Sequence, residues 1–146
     1  MTRVTRRYKF AASHRLNSPH FSEQLNRELY GKCNNPHGHG HDYVLEVTAS
    51  GPVDPSTGLV AQLPALDRLV GECVLRDFDH KYVNADLGEF QDLVPTSENI
   101  IRVIQERLAR HWREAFPGEW PRLDAVRLRE TRRNSFESQL NRHEAQ

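Results

Sequence analysis

The stretch GKCNNPHGHGHDYVLEVTA, residues 31–49, joins a cysteine and three alternating histidines to a run that is apolar at every second position. The apolar residues that share this parity are Tyr43, Leu45, Val47 and Ala49. A period of two is typical of a strand that buries one face. The stretch therefore predicts a β-strand whose buried face continues into the histidines.

Two further strands are predicted from the same alternation. One covers residues 4–12, and the other contains Val126 and Leu128 and carries Glu130 at its end. The segment GPVDPSTG, residues 51–58, has the proline and glycine of a turn. It predicts a hairpin from the histidine strand to LVAQL, residues 59–63.

Helical periodicity replaces the alternation in two places. Between residues 64 and 78 the apolar residues recur at i, i+3, i+4, i+7 and i+8. A second amphipathic helix begins in PTSEN, residues 95–99, with Thr96 or Ser97 as its N-cap. Residues 15–32 predict a surface connection with one short helix. The order of these elements predicts an α+β domain, in which helices cover one face of an antiparallel sheet.

Size and composition limit the possible functions. The 146 residues predict a single domain, 1–146, with residues 139–146 as a flexible tail. Lys plus Arg and Asp plus Glu are 20 each, so the net charge favours neither nucleic acid nor an anionic membrane as a partner. No window approaches the roughly 18 apolar residues of a membrane helix, and the first residues lack a signal-peptide pattern. We therefore expect a cytoplasmic protein whose cysteines, Cys33 and Cys73, are reduced.

The histidines before the strand have the spacing of metal ligands. His39 and His41 lie two residues apart, so their side chains point to the same side of a strand. His14 continues the buried parity of the first strand, and the three imidazoles can converge if the two strands are neighbours. Three histidines with an open fourth position are typical of catalytic zinc. His37 shares the parity as well, so His37 with His39 is a rival pair.

Four other residues are candidates for chemistry. Cys33 precedes the histidines, where it is either structural or a thiolate favoured by a nearby cation. Asp79 adjoins His80 between a helix and a loop, where such a pair is either a chance surface pairing or a candidate for acid–base catalysis. Glu130 has the inward parity of its strand, and a buried carboxylate needs a partner such as a ligand with paired N–H donors.

Six motifs together resemble one known family. They are FAASHRL, GKCNNPHGHGHDY, DPSTGLV, DHKYVN, PTSEN and RETRRN. Their order and spacing are similar to those of the 6-pyruvoyl-tetrahydropterin synthase family, which also contains the 6-carboxytetrahydropterin synthases of queuosine synthesis. The resemblance covers about residues 5 to 135. It implies a T-fold, in which two helices lie on a four-stranded antiparallel sheet, three subunits close a barrel, and two trimers stack into a homohexamer.

The resemblance also implies a reaction. It is the zinc-dependent conversion of 7,8-dihydroneopterin triphosphate to 6-pyruvoyl-tetrahydropterin, a lyase reaction that eliminates triphosphate and needs no nicotinamide or flavin. By the matching positions, zinc (Zn²⁺) is held by His14, His39 and His41. The matching catalytic residues are Cys33 as general base, Asp79 and His80 as its relay, and Glu130 as the anchor of the pterin. The substrate-binding set is completed by Thr96, Ser97 and Glu98.

Two alternatives to the pyruvoyl product remain open. The spacing from Cys33 to His39 fits the pyruvoyl-forming enzymes, whereas the spacing from Cys33 to His37 fits the carboxy-forming enzymes. The motif HGHDY aligns better when His39 and His41 are the ligands, which favours the pyruvoyl type over a 6-carboxytetrahydropterin synthase. A non-enzymatic, zinc-stabilised pterin-binding protein on the same fold is a more remote alternative.

Overall fold

The strand that begins at the histidines is the centre of the sheet in the computed structural model, which describes residues 1–140. This strand, β2 (His39–Gly51), pairs antiparallel with β1 (Thr2–His14) on one side and with β4 (Arg122–Arg129) on the other. β5 (Ser135–Gln139) extends the sheet beyond β4, and β3 (Lys81–Tyr82) adds a two-residue parallel pairing to β1. The strand order is β3-β1-β2-β4-β5.

Three sequence-based expectations about the strands need correction. The sheet has five strands and is mixed, because β3 runs parallel to β1. The hairpin from β2 to residues 59–63 is wrong, because β1 and β4 already occupy both edges of β2. The predicted tail overlaps β5 at Gln139, and Leu140 packs against the core. Residues 141–146 of that tail lie outside the described residues.

The two main helices lie where the sequence pattern predicted them. The short helix of the first connection is α1 (Glu23–Tyr30). The helix expected between residues 64 and 78 consists of α2 (Leu63–Val70), a π-helical turn (Gly71–Leu75) and α3 (Arg76–Phe78). A single turn, α4 (Val83–Asp86), follows β3. The long helix α5 (Ser97–Ala115) begins after Thr96, whose hydroxyl caps it by accepting from the backbone N–H of Asn99.

The core lies between the sheet and the helices. Every second side chain of β2 from Tyr43 to Ala49 is at most 1% exposed, which confirms the predicted buried parity. Helical residues with the predicted 3.6-residue spacing cover this face, among them Leu66, Val70, Val74, Ile100, Ile104 and Leu108. The polypeptide is thus an α+β fold with its long helices on one face of the sheet. In the described part of the chain, no helix has the length and apolar character needed to span a membrane.

One arginine joins the end of the α2–α3 segment to α5. Arg107 donates to both carboxylate oxygens of Glu89, at 2.7 and 2.8 Å, and to Asp77 at 2.7 Å. It also donates to the carbonyl oxygen of Cys73 at 3.0 Å. This network fixes the backbone just before Asp79 and His80.

Candidate active site

Four potential ligand side chains converge at one end of the sheet. The ligand atoms of His14, Cys33, His41 and Glu130 all lie within 4.8 Å of one another. The strand register explains this, because β1 and β2 are neighbours and Ala12 pairs with His41. Side chains of the same parity on both strands therefore share one face, as the sequence predicted for His14 and His41.

His14 is the most deeply held member of the cluster. Its side chain is fully buried, and its Nδ1 lies 2.8 Å from the carbonyl oxygen of Pro95. A carbonyl only accepts, so Nδ1 carries the proton and Nε2 presents its lone pair to the cluster. Burial lowers the pKa of His14, which favours the neutral imidazole that a metal ion requires.

His41 and Glu130 form the closest pair across the cluster. His41 Nε2 is 3.0 Å from Glu130 Oε1 and 3.1 Å from His14 Nε2. The Glu130 side chain is 12% exposed, which confirms the inward position predicted from its parity. The hydrogen bond with His41 lowers the pKa of Glu130, so this carboxylate is ionised at neutral pH.

Cys33 enters the cluster from a loop rather than from the sheet. It lies in a 3₁₀ turn (Gly31–Asn34), and its carbonyl accepts from the backbone N–H of Leu16 at 2.7 Å. Burial, and then the negative charge of Glu130, raise the pKa of the Cys33 thiol. The thiol is therefore protonated in this environment, and only positive charge brought close to it would favour the thiolate.

His39 and His37 lie outside this group of four. The His39 ring packs on His41 with its centroid 4.6 Å away and nearly perpendicular, and the residue is exposed at the rim of the cluster. His37 is exposed in the preceding loop. Of the three histidines predicted as metal ligands, the structure places His14 and His41 in the cluster and His39 at its edge.

Asp79 and His80 lie at the opposite edge of β1. Both backbone polar groups of Ala11 are bound there, because its N–H donates to Asp79 Oδ1 at 2.9 Å and its carbonyl accepts from the His80 N–H at 2.6 Å. His80 Nε2 is 3.6 Å from Asp79 Oδ2, and its side chain is 83% exposed. His80 has φ 59, in the left-handed region, which costs roughly 1–3 kcal/mol and often marks functional sites.

The PTSEN segment contributes mainly through its backbone. Pro95 orients His14, and the Thr96 hydroxyl is used as the N-cap of α5. The Ser97 hydroxyl is buried without a hydrogen-bond partner among residues 1–140, and Glu98 is exposed. The sequence did not identify Pro95, because every residue has a backbone carbonyl and its hydrogen bond to His14 cannot be inferred from residue type.

A second missed residue is Asn84, at the end of the DHKYVN motif. Its Oδ1 accepts from the backbone N–H of Arg15 and its Nδ2 donates to the Arg15 carbonyl, both at 2.8 Å. Because these bonds hold the chain directly after His14, Asn84 positions the cluster without belonging to it. The motif contained this signal, since the amide of an asparagine can both donate to and accept from one backbone residue.

The donor set of the cluster fits a metal ion. Imidazole, thiolate and carboxylate are the protein ligands of zinc, and all three types are present within bonding reach of a common centre. The tautomer of His14 and the ionised Glu130 agree with that use. The same cluster combines a base, a thiol and a buried carboxylate, so it can bind a ligand that bears N–H groups and move protons on it.

Comparison with known proteins places the chain in a family. A family model described as 6-pyruvoyl tetrahydropterin synthase matches residues 3–140. The chain is 40% identical over 131 residues to a 6-pyruvoyl tetrahydrobiopterin synthase of Poecilia reticulata, covering 90% of this chain and 85% of the relative. It is 44% identical over 107 residues to that of Homo sapiens, covering 73% and 74%.

Solved structures agree with the sequence relatives. The structure of 6-pyruvoyl tetrahydropterin synthase from Caenorhabditis elegans superposes with a TM-score of 0.86 at 35% identity and covers 96% of both chains. The Plasmodium falciparum enzyme, at 14% identity and a TM-score of 0.63, shows the fold alone. The predicted T-fold is confirmed by these neighbours. The chain belongs to the 6-pyruvoyl tetrahydropterin synthase family of lyases.

Proposed function

We propose that the protein is a zinc-dependent lyase that converts 7,8-dihydroneopterin triphosphate to 6-pyruvoyl-tetrahydropterin and triphosphate. The observation that supports this most strongly is the cluster of His14, His41, Cys33 and Glu130, which combines metal ligands with a thiol and a buried carboxylate. Membership of the family adds support, since relatives carry the name of this synthase.

For the metal we propose His14, His39 and His41 as ligands. If all four residues of the cluster bound the ion, they would complete a tetrahedron, and structural rather than catalytic zinc sites are closed in that way. The His39 ring lies against His41 and can supply a further imidazole. When bound, zinc polarises oxygens of the substrate side chain and adds positive charge beside Cys33.

Glu130 is the proposed anchor of the pterin. An ionised carboxylate accepts two parallel N–H bonds from an amino group and a ring N–H, the arrangement that the pterin ring offers. Burial of Glu130 makes these bonds stronger than they would be in water. The unpartnered Ser97 hydroxyl, the Glu98 carboxylate and the Thr96 backbone are the groups proposed to complete this pocket.

Cys33 is the proposed general base. As thiolate it removes a proton from carbon of the substrate side chain, the electron pair of that C–H bond forms a C=C bond, and the C–O bond to triphosphate breaks with its electrons on oxygen. A subsequent internal shift reduces the ring by two electrons and oxidises the side chain by two, so no external reductant is needed. A positioned base of this kind contributes roughly 10²–10⁴-fold to a rate.

Asp79 and His80 are proposed to serve the Cys33 of a neighbouring subunit. In one chain they lie across β1 from the cluster, and the sheet ends in two short strands, β3 and β5. Short edge strands can pair with further copies, and a homohexamer of two stacked three-subunit barrels would bring His80 of one chain to the cluster of the next.

Direct product identification tests the proposed function. The metal-loaded protein is incubated with 7,8-dihydroneopterin triphosphate, and products are identified by mass spectrometry. We expect tripolyphosphate and a 6-pyruvoyl product. A 6-carboxy product with acetaldehyde would assign the chain to the carboxytetrahydropterin synthases instead. Folded, metal-loaded protein that binds pterin without turnover would refute the enzymatic proposal and leave a pterin-binding protein.

A further inference from the structure

A cationic cavity lies beside the metal-ligand cluster, and its cationic side chains have no role in the chemistry described above. Its volume is about 480 Å³, and its walls carry three cationic side chains, Arg15, Arg27 and Lys32. His39, from the rim of the cluster, also lines it. Glu23 is the one carboxylate in the lining, so three cations face one anion, a net charge of +2.

Among residues 1–140 the three cations have no carboxylate partner, in contrast to several other arginines. In the described part of the chain, six other arginines form ion pairs with Asp or Glu. Within residues 1–140, Arg15, Arg27 and Lys32 make no such pair. Cations that converge on a cavity without internal partners create a positive potential that attracts an anion.

The walls that carry two of these cations are joined to each other. Arg15 Nε donates to the carbonyl oxygen of Asn34 at 3.3 Å, and the neighbouring Leu16 N–H donates to the Cys33 carbonyl. Asn84 binds the backbone of Arg15 from the other side. Arg15 and the loop of Lys32 are therefore fixed relative to the metal ligands before a ligand arrives, which reduces the entropy lost on binding.

Strand geometry orders the binding groups along β2. Val44 pairs with Arg129, so Glu130 follows at the level of Tyr43. His41 and then His39 come next towards the start of the strand, and the cavity lies beyond them. At about 3.3 Å per residue, the backbone levels of Glu130 and His39 are roughly 13 Å apart, and the Glu130 side chain reaches from its level to within 3.0 Å of His41 Nε2.

We infer that this cavity binds the triphosphate of the substrate. The order carboxylate, histidines, cationic cavity matches the order ring, side chain, triphosphate in a pterin triphosphate. The identity of the substrate rests on the proposed function, whereas recognition of a polyphosphate by Arg15, Arg27 and Lys32 rests on the cavity alone. Arginine and lysine are the usual side chains for such anions.

Calorimetric titration with inorganic tripolyphosphate tests this inference on the full, metal-loaded chain. Arg27→Gln and Lys32→Gln each remove one exposed cation, and we expect each to weaken binding roughly 10-fold, the low end for a charged hydrogen bond. Arg15→Gln should weaken it at least as much. Arg110→Gln, an exposed arginine of α5 outside the cavity, is the matched control and should leave affinity unchanged.

The outcomes separate this inference from the proposed function. Chelation of the metal by tripolyphosphate would be equal in all variants, so only the differences among them report the cavity. Equal affinity of wild type, Arg27→Gln and Lys32→Gln, or no measurable binding by wild type, would overturn the inference even if the enzyme turns over its substrate. Selective loss in the cavity variants without any turnover would sustain the polyphosphate site and refute the lyase. Unphosphorylated 7,8-dihydroneopterin should bind all four variants alike.

Discussion

Two inactive variants, Cys33→Ala and His80→Ala, should restore activity to each other when their chains are mixed. Cys33 belongs to the metal-ligand cluster, whereas His80 is fixed at the outer edge of β1. Each change removes one side chain and leaves the core intact, because Cys33 is half-buried in a loop and the His80 side chain is exposed. Both variants should therefore fold, and neither should turn over substrate appreciably.

The position of His80 along β1 supports the proposal that it acts on the Cys33 of another chain. His80 is bonded to Ala11, three residues before His14 on β1, a distance along the strand of roughly 10 Å. It lines one cavity with Lys9, Asp42 and Tyr43, and a second cavity that also includes His41. Proton transfer needs donor and acceptor within about 3 Å, and we propose that His80 meets this condition with the Cys33 of a second subunit.

Random assembly then fixes the size of the effect. An active site needs one chain with intact Cys33 and a neighbour with intact His80. In an equimolar mixture half of the chains qualify for each role, so a quarter of the sites are complete. About one quarter of wild-type activity should return if the subunits exchange freely in a closed symmetric assembly.

The assay is to unfold the two variants together, refold them with metal, and compare turnover of 7,8-dihydroneopterin triphosphate with that of wild type treated identically. Native mass spectrometry verifies that mixed oligomers have formed. The control mixes Cys33→Ala with a Cys33→Ala, His80→Ala double variant, which leaves no chain with an intact thiol and should stay inactive. Verified mixing with no gain over the separate variants would refute the intersubunit relay.

Three further results are expected. Metal analysis of the purified variants should show that His41→Ala has lost its metal, whereas His37→Ala retains nearly one metal ion per chain. The reverse result would move the site to His37 and favour the carboxy-forming branch. Gly38→Ala should unfold at lower denaturant than Gly58→Ala. Both positions have positive φ, which costs about 1 kcal/mol with a side chain, but only at Gly38 would the new Cβ lie 3.1 Å from a backbone oxygen and an aromatic ring atom. Equal losses would show that the contact adds nothing. The pKa of Glu89 is lowered from its ordinary value of 4.5 by its arginine partner, so its contribution to stability is present above that value and lost as the pH falls through the folded pKa. Glu89→Gln should therefore be less stable than wild type at neutral pH, with a difference that shrinks in denaturation series below pH 4.5; a difference independent of pH would contradict this.

Residue periodicity alone determined the main elements and the inward face of the site. Alternation predicted β1, β2 and β4, and the 3.6-residue repeat predicted α2 and α5, because burial of one face leaves a local pattern in the sequence. The same parity placed His14, His41 and Glu130 on the buried side. The convergence of His14 and His41 was predicted on the condition that their strands are neighbours, whereas the contact of Glu130 with them was not predicted.

Long-range partners were decided only by the tertiary structure. β5 has the polar sequence SFESQ, and it is a strand because β4 offers it a free edge. Residues 59–63 were expected to pair with β2, but both of its edges are taken. Strand formation depends on an available edge as well as on residue type, and a local pattern carries no information about edges.

The chemistry of the site also depended on distant contacts. The Pro95 carbonyl that orients His14 is 81 residues away in the chain, and the raised pKa of Cys33 comes from burial and from Glu130. The cationic cavity joins residues of α1 to two loops that the sequence left as a surface connection. Residue types predicted which groups could act as ligand, base or anchor. Distance, burial and charge decide what each group does, and these quantities exist only once remote segments have packed together.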